Sequence, residues 1–522
     1  MTATTTLYRN GTVYSPADPT ATALLVRDGA IAWVGPDADA PSADVTADLD
    51  GALVTPAFVD AHVHATDTGL ALSGLDLSGA RSAGEVLAAV AAFAAGLPGD
   101  AVVLGHGWDE TTWDEQAKPD AAALERAAGG RRAYLSQASI HSALCTPSLL
   151  VAAQGSPGYD DSGWVRREAH HVVRELALGS VPAAQRGEAQ RATLRRAAEL
   201  GIAAVHECGG PGTSSEADFT GLLALSGQRL PEVYGYWGEL LAAAKARDLG
   251  AVGAGGDLYA DGALGSQTAH LSESYLDADG CGHGYLTAEQ VRDHLLDCAA
   301  HGMQGGFHAI GDAAIGTVLA GFKEAAGKLG VERLRDARHR VEHAEIINKR
   351  LIAGFVEYGI VASMQPAFDR LWGGESQMYA QRLGVTRSLE SNPMGAMHGV
   401  GVALAFGSDS PVTPLDPWGS VRAAVRHFNP VQRMSVRAAF AAHTRGGWRA
   451  LPSDIGSARS ERSEPRSRDP FGSEGVLSPG APATFAVWSV AALDKGLPVL
   501  APDSALPVCR RTVLRGETIY EG

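Results

Sequence analysis

The 522-residue sequence predicts an α/β fold, a TIM-like (β/α)8 barrel with a small β-sandwich built from both chain ends and an inserted cap. Three observations predict it. Segments patterned as buried strands alternate with Ala/Leu/Glu/Arg-rich helical stretches, the order in which a parallel sheet is assembled. Eight such strands can be counted, the number that closes a barrel. Short segments alternating apolar and polar residues stand at both ends of the chain, and termini often lie close together.

The elements follow in order. Residues 1–55 contain LYRNGTVYSP and ALLVRDGAIAWVG, and residues 475–522 contain ATFAVWSV and RTVLRGETIY; together these are expected to form the β-sandwich domain. The barrel is expected over 56–452. Its strands are read at FVDAHVH (58–64), IAAVHE (202–207), EVYGYW (232–237), DLYADG (257–262), GGFHAIGD (305–312), RHRVEH (338–343), IVASMQP (360–366) and ALAFGSD (403–409). Residues from about 70 to 190 fall between the first two strands, include the strand-like VVLGHGW and RAYLS, and are expected to cap the barrel mouth. Residues 453–474, SDIGSARSERSEPRSRDPFGSE, lack apolar periodicity and read as a flexible loop.

Composition excludes several classes of partner. A net charge of −16, from 43 Lys+Arg against 59 Asp+Glu, repels phosphate backbones and anionic headgroups, so neither nucleic acid nor a membrane surface is expected. The apolar run from Val86 to Leu97 is too short to cross a bilayer and reads as a buried helix. MTATTTLYRNGTVY shows no export signal, and five scattered cysteines without a CxxC pair fit a reduced cytoplasmic setting.

The chemistry-bearing residues cluster at strand ends, where barrel active sites are built. His62 and His64, two apart on a strand, leave the same face. His308 and His343 each close a later strand; either alone would suit a hydrogen-bonded core position, but four histidines at strand ends favour a shared ion. Asp409 ends the last strand, where it can cap a following helix or ligate a metal and accept a proton from attacking water. No GxSxG elbow occurs, the glycines of GAVGAGGD do not form a phosphate-binding strand-to-helix turn, and no cysteine sits in a nucleophile's context.

TPAFVDAHVH, ADGALGSQTA, HAIGDAAI, RVEHAEII, SMQPAF and GSDSPVTPLDPW, spanning residues 55–418, resemble the successive signatures of the amidohydrolase superfamily, in the branch that includes N-substituted formamide deformylases. The resemblance implies a hydrolase that splits a carbon–nitrogen bond, amide or formamide, of a small organic substrate with one or two divalent ions, read as zinc. It implies His62, His64, His308, His343 and Asp409 as ligands, Asp409 as proton shuttle, and activity falling below about pH 6 as imidazoles protonate. GHGWDETTW and SIHSALCTPSLL resemble cap segments of that branch, which makes Trp108, Asp109 and His141 candidate pocket residues.

One position departs from the pattern. Asp257 stands where the family carries a lysine that is carboxylated and bridges two metals. Its carboxylate is shorter by roughly 5 Å, so from the same backbone position it cannot bridge. It is expected to ligate one ion through a strand shift, to hold water, or to mark loss of the second ion. Two alternatives accompany the hydrolase reading: a deaminase of the same fold, which needs a Glu after His308 where this chain has AIGD, and a barrel that has lost catalysis and serves as a binding protein. A homo-oligomer is compatible with the sequence.

Overall fold

Eight parallel strands, β1 (Phe58–Val63), β2 (Ile202–Gly209), β3 (Glu232–Trp237), β4 (Gly253–Ala254), β5 (Gln304–Ala309), β6 (Arg340–His343), β7 (Val361–Met364) and β8 (Ala403–Phe406), lie side by side in chain order in one sheet. This computed structural model describes residues 4–99, 101–452 and 473–522. The sheet closes between β1 and β8: the Asp409 amide donates to the His62 carbonyl at 2.8 Å and the His64 amide to the Ser410 carbonyl at 2.9 Å. Asp60 clasps the same seam, its Oδ1 accepting from Ser408 N at 2.9 Å and His62 N at 3.3 Å.

Barrel strands are covered on both faces, which is why FVDAHV is buried at every position. The core between strands and helices is aromatic and aliphatic, with Phe58, Phe307, Phe322 and Val341 fully buried. Beneath the barrel, Phe58 meets Trp418 edge-on at 5.0 Å and Trp488 at 5.7 Å, so one cluster ties β1 to the C-terminal strands. Truncating a buried Phe of this kind costs about 3–5 kcal/mol.

Both chain ends build a pair of sheets around a common core that includes Tyr8, Leu24, Ile31, Val54, Phe485 and Val513. One sheet holds strands 5–9, 23–27, 30–35 and 45–48; the other joins 12–13 and 53–56 to 485–489, 508–514 and 517–521. Two tight hairpins carry the sequence signal of a two-residue turn with positive φ, at Asp28–Gly29 (φ 50° and 75°) and Arg515–Gly516 (φ 49° and 83°). Between β1 and β2 stands a five-stranded sheet of residues 75–76, 103–108, 133–137, 142–145 and 164–166 with flanking helices.

Two expectations are corrected. The fourth strand is not 257–262 but the two-residue Gly253–Ala254; the chain then breaks at Gly255 and Gly256 and rejoins β5 through Tyr259, with His308 N donating to Leu258 O and Ala260 N to His308 O. The apolar helix, Ala83–Ala95, buries only Val86, Val90 and Ala94, because at 3.6 residues per turn one face reaches the core and the alanines of the other meet solvent. Most of the expected loop 453–474 lies outside the described residues, but Glu474 at its end is buried and pairs with Arg515 at 3.0 Å.

A Cβ on Gly255 would lie 2.2 Å from the Gly306 amide nitrogen, and Gly256 has φ 77°. Gly255→Ala is therefore expected to destabilise the fold by about 2 kcal/mol and to displace Asp257 two residues on. Urea unfolding checks the first effect; an unchanged midpoint would show that the close approach is not required.

Candidate metal centre

The C-terminal ends of β1, β5, β6 and β8, with the segment after β4, bring six buried groups to one point. His62 Nε2 lies 3.3 Å from Asp409 Oδ1 and 3.5 Å from Asp257 Oδ1. His64 Nε2 lies 3.0 Å from Asp409 Oδ1 and 3.2 Å from Asp257 Oδ2. His308 Nδ1 and His343 Nε2 approach Asp257 Oδ1 at 3.4 and 3.9 Å. His62 and His64 share a face because β1 alternates its side chains, as the HxH spacing dictates. His343 and Asp409 adopt left-handed backbone, φ 69° and 55°, a costly conformation for these residues that the barrel rim holds in place.

The outer ring nitrogens are anchored. His62 Nδ1 meets Glu342 Oε2 at 3.0 Å, His343 Nδ1 meets Gln365 Oε1 at 2.9 Å, and His308 Nε2 meets the Gly262 carbonyl at 3.3 Å. An acceptor on the outer nitrogen places the proton there and leaves the inner nitrogen as a lone pair facing the centre, the arrangement of metal-bound histidines. Two atoms facing the centre, His62 Nε2 and Asp409 Oδ1, are buried without a hydrogen-bond partner. Ligand atoms of a tetrahedral ion with bonds near 2.1 Å lie about 3.4 Å apart, which the His62, His64 and Asp409 separations match. The donor set fits a divalent cation.

His62, His64 and Asp409 form one possible ligand trio, and His62, Asp257 and His343 another. A third, His62, Cys208 and Glu342, is less suited, because Arg340 already pairs with Glu342 through two bonds of 2.9 Å. Burial raises the Glu342 carboxyl, but the Arg340 charge overrides it and holds the group at about 2. Arg340 also donates to His206 Nδ1 at 2.8 Å and to the Ala61 carbonyl at 2.7 Å, so a single buried cation braces the floor of the site.

At Asp257 the backbone is shifted, as in the first of the three courses expected of it. The Gly255–Gly256 break lets the backbone pass against Gly306 and carries Asp257 to the centre of the cluster, so its short side chain reaches four imidazoles. The structure also separates the three cap candidates. Asp109 and His141 line the cleft above the site, and the His141 ring lies 5.1 Å from that of His308. Trp108 does not: it is buried in the cap core beside Trp113, its Nε1 donating to the Leu135 carbonyl at 2.8 Å, because its position on strand 103–108 faces inward. Asp60, Glu342, Gln365 and Arg340 were not singled out from sequence. Glu342 and Gln365, in RVEH and SMQP, stand beside quoted motif residues, but their partners are 280 and 22 residues away and no periodicity joins them.

Three comparisons bear on this site. A family profile described as "Amidohydrolase family" matches residues 45–520. The chain is 26% identical over 475 residues to "Protein LONG AFTER FAR-RED 3" of Arabidopsis thaliana, covering 81% of this chain and 78% of that one. It is 25% identical over 520 residues to "Putative amidohydrolase YtcJ" of Bacillus subtilis (strain 168), covering 91% and 90%. An uncharacterized metal-dependent hydrolase from Pyrococcus horikoshii OT3 shares the fold, with a TM-score of 0.70 at 21% identity over 94% of this chain and 98% of that chain.

Gln365→Ala removes the acceptor that orients His343 and is expected to weaken ion binding about 10–100-fold while the fold persists. Competition against a chromophoric chelator measures this, and unaltered affinity would reject the orienting role. Burial lowers the His64 pKa, but the Asp257 and Asp409 carboxylates beside it outweigh this and lift the group to about 10. In chelator-treated protein the stability this contributes is complete below about pH 6.5 and is lost as pH rises toward 10. An ion displaces that proton, so apparent metal affinity falls as pH falls; calorimetry in buffers of different ionisation enthalpy should show protons released on loading. Zero release at pH 7 would contradict the assignment.

Proposed function

Since the chain belongs to the amidohydrolase family and is a metal-dependent hydrolase, we propose that it hydrolyses an amide or formamide carbon–nitrogen bond of a small organic substrate. The observation that carries this reading is the convergence of His62, His64, His308, His343, Asp257 and Asp409 at the floor of one cleft. His62, His64 and Asp409 are assigned as ligands of a divalent ion, with zinc favoured by the imidazole-rich set, and Asp257 with His343 and His308 offers the place for a second. Such an ion, when bound, polarises the scissile carbonyl and makes water acidic enough to attack near neutral pH.

The chain's own groups supply the remainder. Asp409 ends β8 at the cleft, its carboxylate well below the ordinary range: burial raises it, but the neighbouring His62 and His64 override this. It is placed to take a proton from attacking water and return it to the leaving nitrogen. His141 stands above the site on the cap turn; burial first, then His308, holds it well below the usual histidine range. A neutral His141 can orient a substrate carbonyl or amide through one ring nitrogen. The buried donor set, of which His308, His343 and Asp409 line the cleft, supports catalysis over the binding-only alternative, and Ala309–Asp312, which follows His308 and offers no Glu, weighs against a deaminase.

Asp409→Asn is expected to lower kcat by at least about 100-fold on a formanilide or N-alkylformamide substrate. Substitution retaining most turnover with metal content unchanged would remove the proton-shuttle role. Chelation should abolish activity and added zinc restore it; hydrolysis of esters alone across a substrate panel would sink the carbon–nitrogen assignment.

A further inference from the structure

The cleft above the metal centre has two distinct properties. One wall is aromatic from the site outward. The Phe368 ring lies parallel to the His343 imidazole, 6.0 Å away and 9° from coplanar, and the row continues to Trp372 at 5.1 Å and from there to Tyr379 at 6.4 Å. The charge of the lining is one-sided. Asp109 and Glu345 line the cleft together with Asp409, and none of the described lining residues is Lys or Arg. Thr111 engages only Oδ1 of Asp109.

Two cations outside this lining are paired with other acids. Arg382 pairs with Asp277, with Glu110 at 3.3 Å and with the Gly265 carbonyl at 2.9 Å, and Lys118 faces Glu110 at 3.7 Å. On the other side of the cap turn 137–141, a second recess bounded by Asp67, His106 and Tyr134 includes one guanidinium, that of Arg174. Asp67 and the carbonyls of Gly212 and Thr213 hold it.

We infer that the cleft selects substrates with a flat apolar group beside the scissile bond and a neutral or cationic far end, and rejects anionic ones such as N-acyl amino acids and dipeptides. The inference rests on the hydrolase reading of the same site. An anion entering here sheds water and finds a lining with carboxylates and no Lys or Arg, whereas a cation gains Asp109 and the aromatic wall that includes Trp372 and Tyr379.

Benzohydroxamates test this with the zinc-loaded chain, because the hydroxamate chelates the ion alike whatever stands para to it. Calorimetry is expected to show the para-trimethylammonium compound binding at least about tenfold more tightly than the para-carboxylate, with the unsubstituted compound between. Asp109→Asn should narrow the gap and Asp109→Lys reverse it, with circular dichroism reporting an intact fold. Equal affinities, a gap unchanged in Asp109→Lys, or no binding by any of the three would overturn the inference. Failure to hydrolyse any amide would instead count against the carbon–nitrogen assignment and leave the hydroxamate ranking to stand or fall by itself.

Discussion

Four imidazoles and two carboxylates are packed together out of water, with nitrogen-to-oxygen separations of 3.0–3.9 Å. In an interior of low effective dielectric, two carboxylates sharing one place repel strongly unless positive charge sits between them. The rest of the structure is arranged around that constraint. The β1–β8 seam brings His62, His64 and Asp409 together by backbone hydrogen bonds, and the anchored outer nitrogens of His62, His308 and His343 turn the inner ones toward the same point. A cation there is at once what the acids require and what the chemistry uses.

The support for this cluster is distributed over the fold. Arg340 is fully buried, braces Glu342 and through it His62, and is stacked at 4.3 Å over Tyr236. Such an ion pair is costly to break from one side, since the surviving charge has no water to turn to. Asp60 clasps the seam from the opposite strand, and burial pushes its carboxyl up to about 6 even with its amide donors in place. The strained backbones of His343 and Asp409 persist because neighbouring strands over-determine them.

Chemistry and selection occupy different layers. The barrel rim positions the ligands on rigid strands, whereas the cap sheet of residues 75–166 lends the turn 137–141 and Asp109, and the segment after β7 lends Phe368, Trp372 and Tyr379. Because the upper wall comes from segments other than the strands that carry the cluster, it can change without disturbing the cluster's geometry.

Much of this was legible in the amino-acid order. Strand periodicity, eight buried segments and paired β-ends declare the barrel and its flanking sheets, and histidines and an aspartate at strand ends point to the cluster proposed as the metal centre, because both signals are local and repeat along the chain. What only tertiary structure decided are relations between distant residues. Trp108 looked like a pocket residue beside Asp109, but strand alternation turned it into the cap core. Asp257 looked too short for its place, since the sequence does not reveal how far a Gly–Gly break lets a backbone move toward its neighbour; packing of Gly255 against Gly306 set that distance. The contacts Glu342–His62 and Gln365–His343 likewise exist only once the sheet has closed, because a closed sheet brings side chains together by register around the barrel and not by spacing along the chain.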